Sequence, residues 1–251
     1  MIRKSLLAAT AAALALASPV PAMALTAGEK TDIEAVVRDY LIRNPEVLLE
    51  AMDALQAKRQ VQELAEQKEA IALAGPNLFA TPAGTVFGNP QGDVTIVEFF
   101  DYNCGYCKKA MTDMQALVEA DPKLRFVLKE VPVLGPQSME ASQVSLAFRH
   151  VAPERYVDFH MKLLGLKGVA NADSALTVAE ELGVDEAAIR TAMTSPEVEE
   201  TLKEDARIAE LLKITGTPSY VLANEVVPGA IGMEGLAEKI ANVRSCGKTA
   251  C

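Results

Sequence analysis

The sequence predicts an α/β protein preceded by a helical arm, and three observations carry that reading. Residues 46–73 contain no Gly or Pro and are rich in Ala, Leu, Glu, Gln and Lys, the strong helix formers. VTIVEFF at 94–100 and LRFVLKEV at 124–131 are strand-like runs on either side of a stretch with helical spacing. Residues 137–213 then read as helix throughout, before a closing strand–strand–helix.

The first 24 residues stand apart. Arg3 and Lys4 precede an apolar run from Leu6 to Ala17, and Ala22-Met23-Ala24 has the small-x-small pattern of a cleavage site. This is the form of a secretory signal peptide, too short to span a bilayer. The expectation is an exported, periplasmic protein whose mature chain starts at Leu25. Removing Arg3 and Lys4 takes the formal charge from −10 to −12. An acidic chain has no electrostatic hold on a phosphate backbone, so nucleic acid is excluded as a partner.

Within the arm (25–74), Thr31 and Glu34 fit a capping box, with a helix to about Arg43. Asn44-Pro45 offers a fresh start for the long helix. Val47, Ala54, Ala57, Val61, Leu64 and Ile71 fall on one approximate stripe, and 54, 57, 61, 64, 68, 71 has coiled-coil spacing broken by Lys68. The stripe suits packing either on the chain's own globular part or on copies of itself. Gly75-Pro76-Asn77 and Thr81-Pro82-Ala83-Gly84 mark a linker at 75–84. The remainder, 85–251, forms the second domain.

There, VTIVEFF is apolar on both faces, as a central strand must be. Residues 104–120 place Cys107, Met111, Met114, Leu117 and Val118 on one helical face, and Asp121-Pro122 ends the helix. With LRFVLKEV this makes a βαβ unit. Helical segments are expected at 138–150, 153–164, 173–182, 185–193 and 196–212, with Asp173, Asp185 and Ser195 as N-caps. A hairpin around Asn224-Glu225 and a helix at 233–244 close the chain.

Cys104-Gly105-Tyr106-Cys107 sits where the first strand gives way to its helix. A thiol there meets unpaired backbone N–H groups and the positive end of the helix dipole, which favour the thiolate. Cys104 is therefore the candidate nucleophile, and Cys107, one turn further in, the resolving thiol. A zinc site needs four ligands, yet Cys246 and Cys251 are spaced differently at the far end of the chain, and His occurs only twice. The reading takes no metal and no cofactor beyond the redox-active pair. Glu98, in an otherwise apolar strand, is a candidate proton acceptor for Cys107, with Lys129 as its charge partner. Its alternative is to point at solvent. Thr217-Pro218 stands at a strand entrance, where proline removes a ladder donor, as either a cis bond or an ordinary trans turn. Cys246 and Cys251 make either a local clip or a second exposed redox pair.

"VEFFDYNCGYC", followed far downstream by "GTPSYVL" and with "RYVDFHMKLL" between them, resembles the DsbA family of disulfide oxidoreductases over roughly residues 85–245. The resemblance implies a thioredoxin-like fold with an all-helical insertion at about 137–213. It also implies a cis Pro218 facing the CXXC, a Thr217 backbone offered to an extended substrate, and Glu98 as the family's buried acid. "TDIEAVVRDYLIRNPEVLLEAMDAL" resembles the N-terminal region of ScsC-type proteins of suppressor-of-copper-sensitivity systems. Some of these trimerise through the arm and act as isomerases, while others lack it and are monomeric. The likeness implies a link to copper tolerance, a homotrimer, misfolded or oxidised exported proteins as substrates, and a membrane thiol donor of the ScsB/DsbD type. Strongly oxidising DsbA proteins carry Pro-His between the cysteines and Val before the cis-proline. Gly105-Tyr106 and Thr217 match isomerases instead. The function expected is disulfide isomerase or reductase; the alternatives are a monomeric DsbA-like dithiol oxidase and a copper-binding protein.

Overall fold

A computed structural model describes residues 26–251, in two compact units divided between Ala57 and Lys58. The segment read as a signal peptide lies outside the described residues. No helix among them is long and apolar enough to cross a membrane.

The first unit holds helix α1 (Ala27–Arg43) and the beginning of α2 (Glu46–Ala74). The capping box at the start of α1 is built by Thr26 and Glu29, not Thr31 and Glu34. Both quartets have the same S/T-x-x-E spacing. The helix takes the earlier one, and Thr31 instead bonds the Ala27 carbonyl from the second turn. Asn44 closes α1, its backbone and side-chain N–H groups both donating to the Tyr40 carbonyl at 2.8 Å. No residue of α1 is buried. Val36, Ile42, Leu49 and Met52 are exposed, and a cavity of about 540 Å³ lies between Ile33, Val37, Leu41 and Leu48.

The second unit is built on a five-stranded sheet of β1 (Phe87–Gly88), β2 (Val94–Phe100), β3 (Leu124–Glu130), β4 (Ser219–Leu222) and β5 (Glu225–Pro228). Their order is β1-β3-β2-β4-β5, with β2 and β3 parallel and every other pair antiparallel. Helix α4 (Gly105–Ala120) connects the parallel pair. β2 is buried along nearly its whole length because it has a partner on each side and cover on both faces.

One face carries Ile96, Phe100, Phe126, Leu128 and Leu222 into the main core, with Met114 and Leu117 of α4. The other carries Val97, Phe99, Val127 and Val221 against the end of α2 (Ile71, Ala74) and Leu78. The α2 stripe thus changes role along the helix: Val61 is 70 % exposed, while Ile71 and Ala74 are buried. The segment expected as a linker contains a short helix, α3 (Pro76–Phe79), and its Leu78 is fully buried. It is packed structure rather than a free hinge.

The helical insertion comprises α5 (Pro136–Val151), a 3-10 turn (Pro153–Arg155), α6 (Tyr156–Leu164), α7 (Ala172–Glu181), α8 (Glu186–Met193) and α9 (Pro196–Leu211). Asp185 caps α8 as expected, but α7 is capped by Asn171 in a box with Ser174, not by Asp173. The hairpin also differs from expectation. Leu222 pairs with Glu225, so the two turn residues are Ala223 and Asn224, with Ala223 at φ 46°. Glu225 belongs to β5, where its carboxylate meets Lys239 at 2.7 Å, which removes the difficulty of a glutamate in a tight turn.

After α10 (Gly232–Cys246), Cys246 and Cys251 are joined in a disulfide that folds the tail back. Buried Thr249 donates its N–H to Asn224 and accepts from Asn242. This is the clip, not a free dithiol. The loop is short, so Cys246→Ser is expected to cost about 2 kcal/mol or less. Thermal melting under non-reducing conditions checks this, with thiol reactivity at Cys104 expected to be unchanged.

Candidate active site

Cys104 is the N-cap of α4, with extended backbone at φ −76° and ψ 114°. Its Sγ accepts the Cys107 N–H at 3.4 Å, and its thiol donates to the Thr217 carbonyl at 3.1 Å. The Thr217–Pro218 bond is cis. Residues 113 positions apart are thereby brought to one point. Both thiols are free; Cys104 is 6 % exposed and Cys107 fully buried. Between them Gly105 faces open space and Tyr106 is 70 % exposed, so the outer rim has room for a polypeptide.

Burial holds the Cys107 thiol far above its ordinary range, and the charges of Glu98 and Cys104 push the same way. A buried thiol that resists ionisation is a poor first attacker but, one turn behind Cys104, is placed to attack a sulfur bonded to Cys104. Glu98 is buried beneath this pair, and burial alone pushes its carboxyl up to about 8. Its Oε1 has no hydrogen-bond partner among the described residues. Tyr220, directly across from Glu98 in β4, is pushed upward by burial and then by Glu98.

Lys129 does not partner Glu98. In the parallel register Glu98 pairs with Leu128 and Phe99 with Lys129, so Lys129 shares the face of Phe99. There its Nζ meets Asp205 of α9 at 3.0 Å, both groups being buried. Burial raises the Asp205 carboxyl against the pull of Lys129. The lysine offsets a charge on the far side of the sheet and takes no part in the CXXC site.

Sequence reasoning missed a second polar group under the insertion. Glu130 is buried and accepts from Ser145 at 2.7 Å and Tyr156 at 3.1 Å, and burial pushes its carboxyl up to about 7. Ser145 meets the hydroxyl of Tyr102, which reaches His160 Nδ1 at 3.4 Å. Burial lowers His160 to about 3, so its ring is neutral at physiological pH. A Glu closing a β-strand and a His inside an apolar helical stripe were the available signals.

A βαβ core with a helical insertion, and a CXXC at a helix start opposite a cis-proline, define a class. The chain belongs to the family of the DSBA-like thioredoxin domain, whose model matches residues 95–241. A second model, the copper resistance protein ScsC N-terminal domain, matches residues 29–62. Among solved structures, the chain is similar to a thioredoxin-like oxidoreductase from Silicibacter pomeroyi, at 40 % identity and TM-score 0.65, covering 68 % of this chain and 98 % of that one. It is similar to Proteus mirabilis ScsC in a transitional conformation, at 28 % identity and TM-score 0.60, covering 85 % and 94 %. It is also similar to Salmonella enterica Typhimurium BcfH, at 25 % identity and TM-score 0.67, covering 84 % and 93 %. Among curated proteins it resembles the Na(+)/H(+) antiporter NhaA 1 of Salinispora arenicola, 24 % identical over 157 residues. That match takes in 62 % of this chain but only about a quarter, 24 %, of the antiporter's length.

Proposed function

We propose that this chain is an exported, periplasmic protein disulfide isomerase and reductase that works through Cys104 and Cys107. The observation that carries the reading is the Cys104 thiol at an α-helix N-terminus, 3.1 Å from the Thr217 carbonyl. A thiolate there attacks one sulfur of a substrate disulfide. That S–S bond breaks, a mixed disulfide forms on Cys104, and the substrate's other sulfur leaves as a thiolate. If that thiolate attacks another substrate disulfide, and a substrate thiolate later displaces Cys104, the bonds are reshuffled with no net electron transfer. If Cys107 attacks Cys104 instead, the substrate leaves as a dithiol carrying two electrons, and a Cys104–Cys107 disulfide remains. A membrane thiol donor would return it to the dithiol.

Gly105-Tyr106 supports this direction, because no cationic side chain stands between the cysteines to stabilise a thiolate and so to drive oxidation. The arm supports trimerisation. It matches the ScsC N-terminal model, and its Val36, Val37, Leu49 and Met52 are exposed in the single chain. Several nucleophiles on one stalk raise the effective concentration at a misfolded substrate.

Refolding of scrambled ribonuclease tests the proposal, comparing the mature chain with one starting at Lys58. The cut at 58 keeps Ile71 and Ala74, which belong to the core of the second unit. The full chain is expected to be trimeric and to restore ribonuclease activity. The shortened chain is expected to be monomeric, still to reduce small disulfides, and to lose about tenfold or more of the refolding rate. Equal refolding by two monomeric forms contradicts the trimer. Oxidation of reduced ribonuclease without reshuffling contradicts isomerisation.

A further inference from the structure

We infer that Asn103 is a positioning residue through which the helical insertion holds the reactive Cys104 in place. Its side-chain amide is fully engaged. Oδ1 accepts the Ala170 N–H at 2.7 Å, while Nδ2 donates to the Ala170 carbonyl at 2.9 Å and to Ser138 Oγ at 3.0 Å. The pair of bonds to Ala170 reproduces one rung of a β-ladder between a side chain and the loop joining α6 to α7. Ser138, in the first turn of α5, donates its own hydroxyl hydrogen bond to Asp101 Oδ1 at 2.7 Å. Asp101 is buried, and its two oxygens also accept the N–H groups of Asn103 at 2.7 Å and Leu134 at 2.9 Å. The circuit ends on the nucleophile's own backbone, where the Cys104 N–H donates to the Asp101 carbonyl at 3.0 Å.

Each polar atom named here has a partner, and a satisfied buried network holds one geometry. The geometry held is that of the strand-to-helix elbow. Asp101 to Cys104 is the whole connection between β2 and α4, and it has no ladder or helix of its own. Two segments, 134–138 at the entrance to the insertion and the one containing Ala170 inside it, supply the missing bonds. Lys108, on the far side of the CXXC, adds a third tie by donating to the Leu166 carbonyl at 2.6 Å in the same loop. The insertion thereby fixes where Cys104 stands relative to Thr217.

The inference deepens the thiol–disulfide exchange reading but is testable apart from it. The measurement is the second-order rate of Cys104 with a small aromatic disulfide, followed against pH in the full chain, with melting recorded alongside. Asn103→Ala removes the rung and is expected to slow the reaction about tenfold or more and to move its pH midpoint. Asn103→Asp keeps the acceptor for Ala170 but loses both donors and adds charge beside Asp101. Its rate relative to wild type is expected to recover as pH falls and the new carboxyl regains a proton. Ser138→Ala deletes one hydroxyl in a helix and is expected to slow the reaction about threefold, which decides the matter should Asn103→Ala fail to fold. Variants that fold and react at the wild-type rate and pH midpoint overturn the inference, because a side chain that only supports stability lowers the melting temperature alone. Failure of the isomerase reading shows elsewhere, as wild type with a reactive Cys104 that refolds no scrambled ribonuclease.

Discussion

Cys107→Ala is expected to accumulate as a covalent adduct with scrambled ribonuclease, joined through Cys104. In the wild-type protein the buried Cys107 lies one helical turn behind Cys104, whose Sγ already accepts the Cys107 N–H. Attack from that position is intramolecular, and well-placed intramolecular reactions have effective molarities of about 10⁵ M or more. External thiols at millimolar concentration cannot compete with this, so the variant should lose net reduction by at least about 10³-fold. Reshuffling should survive in part, because a thiol of the substrate itself can still displace Cys104. Cys104→Ser should lose both activities. Non-reducing electrophoresis and intact mass resolve these species. The assignment of roles fails if Cys107→Ala forms no adduct while wild type turns over, or if the adduct maps to Cys246 or Cys251.

Glu98→Gln should separate the stability and the chemistry of the site. Burial raises the Glu98 carboxyl from 4.5 to about 8 in the folded chain. Between those values the folded protein binds a proton that the unfolded chain has released. Stability therefore falls as pH rises through this window, and the contribution is intact below about pH 4.5. The whole interval corresponds to at most roughly 5 kcal/mol. Glutamine has the same shape and no charge to bury. The variant should melt close to wild type at pH 4 and above it at pH 8, by up to roughly 10–20 °C for a chain of this size. Exchange should change in the opposite sense. Glu98 is near enough for its charge to act on Cys107, and as a carboxylate it can take the Cys107 proton during resolution. Net reduction should slow by about tenfold or more, with loss of an inflection near pH 8. A melting difference that is constant from pH 4 to pH 8 contradicts the buried acid. Unchanged reduction kinetics contradict its role in proton transfer.

The parts of the fold legible in the sequence were those decided by neighbours along the chain. VTIVEFF and the helix after it are legible almost to the residue, because β-branched runs, a helical stripe and Asp121-Pro122 are local signals. What escaped was decided by choices between equivalent local patterns or by distant partners. Thr26 and Thr31 both head a T-x-x-E pattern, and nothing near either one selects which of them builds the capping box. The turn at Ala223-Asn224 follows from pairing Leu222 with Glu225, a matter of register rather than composition. The pairing of Lys129 with Asp205 rather than Glu98 escapes for the same reason: its face depends on how β3 pairs with β2, and Asp205 lies on a helix far along the chain. Cys104 and Cys107 at the start of α4 and Thr217-Pro218 at the entrance of β4 can be placed from sequence because those element boundaries can be located. The grip of Asn103 on Ala170 cannot, since backbone groups 67 residues away leave no mark on the sequence.

The reduction potential of the Cys104–Cys107 pair, measured on the full chain in glutathione buffers, bears on whether this site reshuffles disulfides or inserts them. Thiols with no cationic neighbour between them should give a couple that stays largely reduced in contact with a thiol donor. The expected value is near or below about −180 mV, the region of protein disulfide isomerase. A value close to about −120 mV, where DsbA lies, would contradict this account and make the protein an oxidase.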